Sequence, residues 1–169
     1  MSHHKIWDKA LGEGERIEHE FSLSPRYLNF NLFFWMLVGL VILVFGFSNI
    51  LFFIAGVLIF AVAFFHFGFL LRWSNMFAFT NKRVLIHRGW LNTSMMSIDY
   101  AQITEIEARQ GFTEKLLYKS GSIFLNTAGS SHQEAVITNV GDPYMLKQKL
   151  AELMEKDEHA MYTGQINKT

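Results

Sequence analysis

Glu105 and Glu107 sit two residues apart in "ITEIEARQ". On a strand, that spacing puts both carboxylates on one face, about 7 Å apart. An enclosed pair of this kind can divide general acid and base work. Here the alternation turns Glu105, Glu107 and Arg109 toward water, where paired carboxylates mostly solvate a surface. Asp99 is a turn or outward strand position. His87 and His132 lack the metal-ligand spacing of a C-x-x-C or H-x-x-E-H pattern. Ser130 and Ser131 adjoin His132, but neighbours at a strand end point apart, so "TAGSSH" reads as a loop. The paired His3 and His4 of "MSHHK" read as solvated. No glycine-rich phosphate loop leads into a helix. These residues predict no catalytic site, no metal and no cofactor.

The second chemical feature is basic. Between Leu70 and Gly89 stand Arg72, Lys82, Arg83 and Arg88, with no acid among them. Such an edge suits an anionic lipid headgroup or an acidic partner. It equally suits unselective attraction to phospholipid, at about 1 kcal/mol per charge near an anionic surface. Overall the chain of 169 residues balances 15 basic against 15 acidic residues, which offers nothing for nucleic acid. It has no cysteine, so disulfides, thiolate metal sites and thiol nucleophiles are excluded.

The basic edge follows a very different segment. From Tyr27 to Leu71, 45 consecutive positions carry no Asp, Glu, Lys or Arg, and 12 of the 17 Phe lie inside. A stretch like this belongs in a bilayer. As one helix it would be about 67 Å long, twice a hydrocarbon core, so it must turn. "GFSN", Gly46 to Asn49, is the only polar break and combines turn-forming residues. The expectation is a two-helix transmembrane hairpin over 30–71, with spans near Phe30–Phe47 and Ile50–Leu71 and a turn at 46–49.

Basic residues flank the hairpin on its outer ends and are missing from the turn, which places both termini in the cytoplasm. Trp35 and Trp73 fall near the same ends, as interface anchors. Gly39 and Gly46 are seven apart on the first span, and Gly56 and Ala63 on the second. Small residues on one stripe let helices touch where no water drives them together. His66, three residues after Ala63, extends that stripe. It reads as a neutral imidazole bonded across the hairpin or raised to the interface. The sharper reading, proton handling, lacks an acidic partner. The mixed charges of the first 29 residues do not resemble a secretory signal.

After Trp73 the period changes from helical to two. "NMFAFT" and "VLIHRG" flank a turn at Asn81-Lys82, and "SMMSIDY" follows a turn at Leu91 to Thr93. In "ITEIEARQ", Ile103 and Ile106 can share the core side only if the strand bulges or bends. "GFTEKLLYKSG" reads as a loop with one helical turn, and "SIFLNTA" and "EAVITNV" as a further hairpin around Gly129 to His132. The final helix opens at Asp142 as N-cap with Pro143 first, and Leu146, Leu150 and Leu153 form its apolar stripe. The expected division is a cytoplasmic segment over 1–29, the hairpin, a folded domain over 72–158, and a disordered polar tail over 159–169. "ERIEHEFSLSP" alternates as a strand. Two placements stay open for it, on an edge of the sheet or at the interface.

Four of these signals come in order: "FAFTNKRVLIHRGWL", "IDYAQITEIEARQG", "GSIFLNTAG" and "ITNVGDPYMLKQKL". Together they resemble the bacterial pleckstrin-homology-like (PH-like) family of membrane-flanked domains, over about Asn75 to Glu155. The resemblance implies an α+β membrane protein, in which the two-helix hairpin joins a PH-like antiparallel β-sandwich or barrel closed by a C-terminal helix. It implies the cytoplasmic (inner) membrane of a bacterium and no catalytic activity. Eukaryotic pleckstrin-homology domains hold anionic headgroups on their first hairpin, and the equivalent here carries Lys82, Arg83 and Arg88.

The expected function is therefore a non-catalytic, membrane-anchored interaction module for protein or anionic lipid. Its partners would be the phospholipid bilayer and another membrane protein or a second copy of itself. The rival from another class is an accessory or pore-forming subunit of a transport assembly, with His66 lining the path. A third option, a lipid-processing enzyme, would need His87 and His132.

Overall fold

A computed structural model of the chain describes residues 7, 10–90, 92–128 and 135–166. Among the described residues, seven strands, two long apolar helices and one amphipathic helix follow a simple order. Strand β1 (Ile17–Ser22) comes first, then helix α1 (Pro25–Phe45) and helix α2, which starts at Ile50 and runs to Ser74. Strands β2 (Asn75–Thr80), β3 (Arg83–Arg88) and β4 (Ser94–Asp99) come next. β5 (Ile103–Arg109), β6 (Ser120–Thr127), β7 (Ala135–Gly141) and helix α3 (Pro143–Ile166) complete the chain.

The strands form two antiparallel sheets, β1-β2-β3-β4 and β5-β6-β7, rather than one closed barrel. The first strand settles the question left open for "ERIEHEFSLSP". β1 pairs with β2, with Glu20 opposite Ala78 and Ser22 opposite Met76. The two apolar helices are thus a connection within the sheet, between its first and second strands. Leu23 continues as a bridge to Val140 of β7, tying the sheets together at the root of α1.

Phe77, Phe79, Val84 and Ile86 from the first sheet meet Ile123, Leu125, Ile137 and Val140 from the second. Leu146, Leu150 and Leu153 close this core from α3, as their spacing predicts. The Asp142 carboxylate accepts the backbone N–H of Met145 at 3.3 Å, which caps the helix. The helix continues to Ile166, past the expected start of a disordered tail. In β5 the pairing register shifts between Ile103 and Glu105. That bulge turns Ile103 and Ile106 toward one core.

β2 is buried on both faces. Its outer face, Met76 and Ala78 with Leu85 of β3, is covered by Trp7, which is fully buried, and by Leu11 and Ile17. Trp7 Nε1 donates to Glu20 on β1 at 3.1 Å. Trp7, Leu11 and Ile17, ahead of and at the start of β1, are therefore part of the domain core.

α1 and α2 pack as a hairpin. Gly46 N–H donates to Ile42 O at 2.8 Å, and the Asn49 side chain accepts from Leu51 N–H at 3.0 Å, capping the return helix. Both helices are long and apolar enough to cross a membrane, and only 11% of the most apolar window of each is buried. A core helix of a soluble domain would be mostly covered. The two helices touch at Gly39 and Gly56. A Cβ on Gly56 would lie 2.8 Å from the backbone nitrogen of Leu43 and 3.0 Å from Gly39 O. Only hydrogen fits there without separating the backbones. Replacing Gly56 by Leu should therefore force the helices apart and lower the thermal midpoint of the purified protein by several degrees. An exposed control, Val57→Leu, should leave the midpoint unchanged.

Candidate functional site

Two candidate surfaces lie at the ends of the strand domain, one where the helices enter and the other opposite. At the helix-proximal end, Ser74 passes directly into β2, and Gly89 N–H returns to Ser74 O at 2.8 Å. The Arg72 guanidinium donates to Asn29 Oδ1, linking the ends of α1 and α2. Arg88, opposite Asn75 on β3, donates to Val136 O of β7. Aromatic rings surround this junction. Trp90 stands edge-on to Phe65 with centroids 6.4 Å apart, and Trp73 lies 5.8 Å from Phe69. Tyr118, from the β5–β6 connection, meets Tyr27 at 5.4 Å and Phe30 at 5.2 Å. Ser24 Oγ donates to Tyr118 O at 3.1 Å and fixes that connection against α1. A cleft of about 430 Å³ between Glu20, Ser22, Arg72 and Trp73 opens on the same end.

Lys82 and Arg83 do not join this group. They occupy the far end of the β2–β3 hairpin, roughly 17 Å away along strands of six residues. The expected basic edge is thus split, with Arg72 and Arg88 near the helices and Lys82 and Arg83 remote. Because β1 precedes β2 in the sheet, the β2–β3 hairpin is the second pairing, not the first.

Arg83 instead has a structural partner that nothing in the local sequence announced. Its Nε and Nη2 donate to the two oxygens of Glu15 at 2.8 and 2.6 Å. The Glu15 side chain is 2% exposed and that of Arg83 26%. Thr80 Oγ1 donates to Glu15 at 2.8 Å, and the Gly12 N–H donates at 2.8 Å. Asn81 Oδ1 accepts from Arg16 N–H at 2.9 Å, while its Nδ2 donates to Gly14 O at 3.3 Å. The Thr-Asn-x-Arg segment therefore clamps the chain that leads into β1. Arg83 and the other donors hold the Glu15 carboxyl down at about 2, with burial opposing them. The hydrogen bond to Glu15 raises Arg83 in turn. On β1, burial lowers His19, reinforced by the charge of Lys149, whose Nζ lies 3.3 Å from its Nδ1.

Gly39, Gly46, Gly56 and Ala63 are buried between the helices. His66 lies in the π-helical stretch Phe64–Leu70, exposed and edge-on to Phe67 at 5.0 Å. With Ala63, Trp35, Leu58 and Val62 it lines an open apolar groove of about 420 Å³. Trp35 lies about 9 Å along α1 from the Asn29–Arg72 level, whereas Trp73 adjoins Arg72.

At the helix-distal end, Ile103, Ile106, Met154 and Tyr100 floor a cleft of about 560 Å³ between β5 and α3, rimmed by Glu155, Asp157 and Glu158. The Tyr100 hydroxyl donates to Thr80 O at 2.5 Å. Glu107 is ion-paired with Arg109 at 2.6 Å, and Glu105 accepts from Asn126 at 3.1 Å, so both carboxylates belong to surface pairs. His87 faces Trp7 edge-on at 6.3 Å. Ser130, Ser131 and His132 lie outside the described residues. Among the described residues no three of His, Asp and Glu gather as metal ligands would.

The sequence profile of the family described as "Bacterial PH domain" matches residues 32–154, well over half the chain. The chain belongs to the bacterial PH domain family. No curated protein matches it. It is similar to a solved DUF1696 family protein with a pleckstrin-homology domain from Shewanella loihica PV-4. That likeness has 13% identity and a TM-score of 0.48, over 89% of this chain and 91% of the other. It is also similar to a pleckstrin homology domain from Shewanella amazonensis SB2B, at 13% identity and a TM-score of 0.49, over 89% and 84%. PH domains are in general interaction modules rather than enzymes, and this bacterial PH domain carries its long helices between β1 and β2.

The Glu15 clamp implies a defined acid response. Its folded value of about 2 lies below the ordinary 4.5, so stability is present above pH 4.5 and drains away as pH falls toward 2. Glu15→Gln should cost about 2 kcal/mol near neutral pH by leaving Arg83 without its carboxylate. It should also flatten the fall in thermal midpoint across that window, as followed by tryptophan emission.

Proposed function

We propose that this bacterial PH domain is a non-catalytic interaction module held on the cytoplasmic surface of a membrane by its own α1–α2 hairpin. The observation that carries the reading is the β1–β2 pairing. The strands on either side of the helices are hydrogen-bonded neighbours, so a bilayer crossed by α1 must be recrossed by α2. The exposed apolar sides of both helices support the crossing. Arg26, Arg72, Arg88, Lys115 and Lys119 belong to the helix-proximal end, whereas Gly46 to Asn49 carries no charge. That asymmetry favours a cytoplasmic domain.

In this frame Arg72 and Arg88 face phospholipid headgroups, and Trp73 and Trp90 occupy the interface. Trp35 and His66 lie within the hydrocarbon. Lys82 and Arg83 are turned away from the bilayer. The cleft between β5 and α3 points into the cytoplasm, and its acidic rim suits a partner segment with an apolar face and Lys or Arg beside it.

The chain lacks cysteine, so single cysteines report topology directly. In intact cells Asn49→Cys should react with a membrane-impermeant maleimide, and Glu105→Cys only after lysis. The opposite pattern, or release of the protein from washed membranes, would overturn the reading. With purified protein, Arg72→Gln combined with Arg88→Gln should weaken binding to anionic lipid several-fold, whereas Lys82→Gln should leave it unchanged.

A further inference from the structure

The β5–β6 connection leaves three large apolar side chains in the open. Phe112 is 80% exposed, Leu116 67% and Leu117 45%. Between and beside them stand Lys115 and Lys119, both exposed. The segment is ordered by its own bonds. Glu114 accepts the Gly111 N–H at 2.7 Å, Lys115 N–H donates to Gly111 O at 2.9 Å, and Glu114–Tyr118 forms one π-helical turn. Lys119 closes it in the left-handed region, with φ of 44°. Phe112 and Leu116 are four apart and share one side of the turn. A structured turn that exposes three large hydrophobes and two cations has the composition of an interfacial anchor.

Its location identifies the occupant. Tyr118 at the end of the turn packs on Tyr27 and Phe30, and Ser24 Oγ holds Tyr118 O, so the turn is fixed against the first turns of α1. Those are the residues at which α1 would leave the hydrocarbon under the topology proposed above. We infer that Phe112, Leu116 and Leu117 insert into the headgroup and upper acyl region of the leaflet crossed by α1, with Lys115 and Lys119 on anionic headgroups. This turn and the hairpin would then hold the domain at two points, limiting its tilt about the β1–α1 and α2–β2 junctions. The inference rests on the membrane-spanning reading and is tested so that the two can fail separately.

Three single-cysteine variants of the full chain, Leu116→Cys, Leu37→Cys and Glu158→Cys, would carry an environment-sensitive fluorophore. Each is reconstituted into vesicles of phosphatidylcholine and phosphatidylglycerol. Lipid-borne nitroxide should quench the labels at positions 116 and 37 several-fold more than the label at 158, and aqueous iodide should do the reverse. Lys115→Glu with Lys119→Glu should reduce the lipid quenching at 116 but not at 37. If iodide reaches position 116 while position 37 stays quenched by lipid, the turn is in water, and the inference fails with the spanning reading intact. If iodide reaches position 37 as well, both fail.

Discussion

The pairing of β1 with β2 is the constraint on which the rest of the molecule depends. Two strands separated by more than fifty residues of chain pair antiparallel, from Ile17 opposite Thr80 to Ser22 opposite Met76, with one register shift between Ile17 and His19. Everything between them must leave the sheet and return to within one strand spacing, about 4.8 Å. A pair of antiparallel helices with a short turn meets that requirement, and Gly39 and Gly56 allow them to run side by side. The sheet in turn needs β1, because without it β2 would be an open edge carrying Phe77 and Phe79. Hairpin and sheet therefore complete each other.

Closing so long a connection is entropically unfavourable, and the clamp at the far end of β2 opposes that cost. Thr80, Asn81 and Arg83 together hold Ala10, Gly14, Glu15 and Arg16 just before β1 begins. Trp7 then seals the outer face of β2. A set of residues that looks like a ligand-binding basic turn is in fact the lock on the strand that makes the insertion possible. The Arg83 charge is neutralised internally by Glu15, which leaves Arg72 of α2 and Arg88 of β3 as the cations of the expected basic edge nearest the helices.

The domain consequently has two unlike ends. Aromatic rings and basic side chains collect where the helices enter, and the acidic-rimmed cleft between β5 and α3 lies at the other end. This polarity follows from strand direction alone. β2 starts at Asn75 and runs away from the helices, and β3 returns toward them. Residues a few positions apart in sequence, such as Arg83 and Arg88, are therefore sent to opposite ends.

Local chemistry alone was enough to place the elements. The charge-free run with its "GFSN" break marks two helices and their turn, period two marks each strand after Trp73, and Asp142-Pro143 marks the last helix. These signals are legible because backbone propensity, capping and apolar periodicity act over a few residues. Even the bulge in β5 could be demanded from Ile103 and Ile106 together. Partnership across long separations was not legible. Nothing in "GEGERIE" names Arg83 as the partner of Glu15, and nothing in "FFHFG" tells that Phe64–Leu70 takes a wider, π-helical turn. The apolar turn at Phe112 to Leu117 reads as an ordinary loop until Tyr118 is seen packed on α1. Which charges meet, which are neutralised and which end of the domain they occupy are decided by distance in space, and only the tertiary structure supplies that.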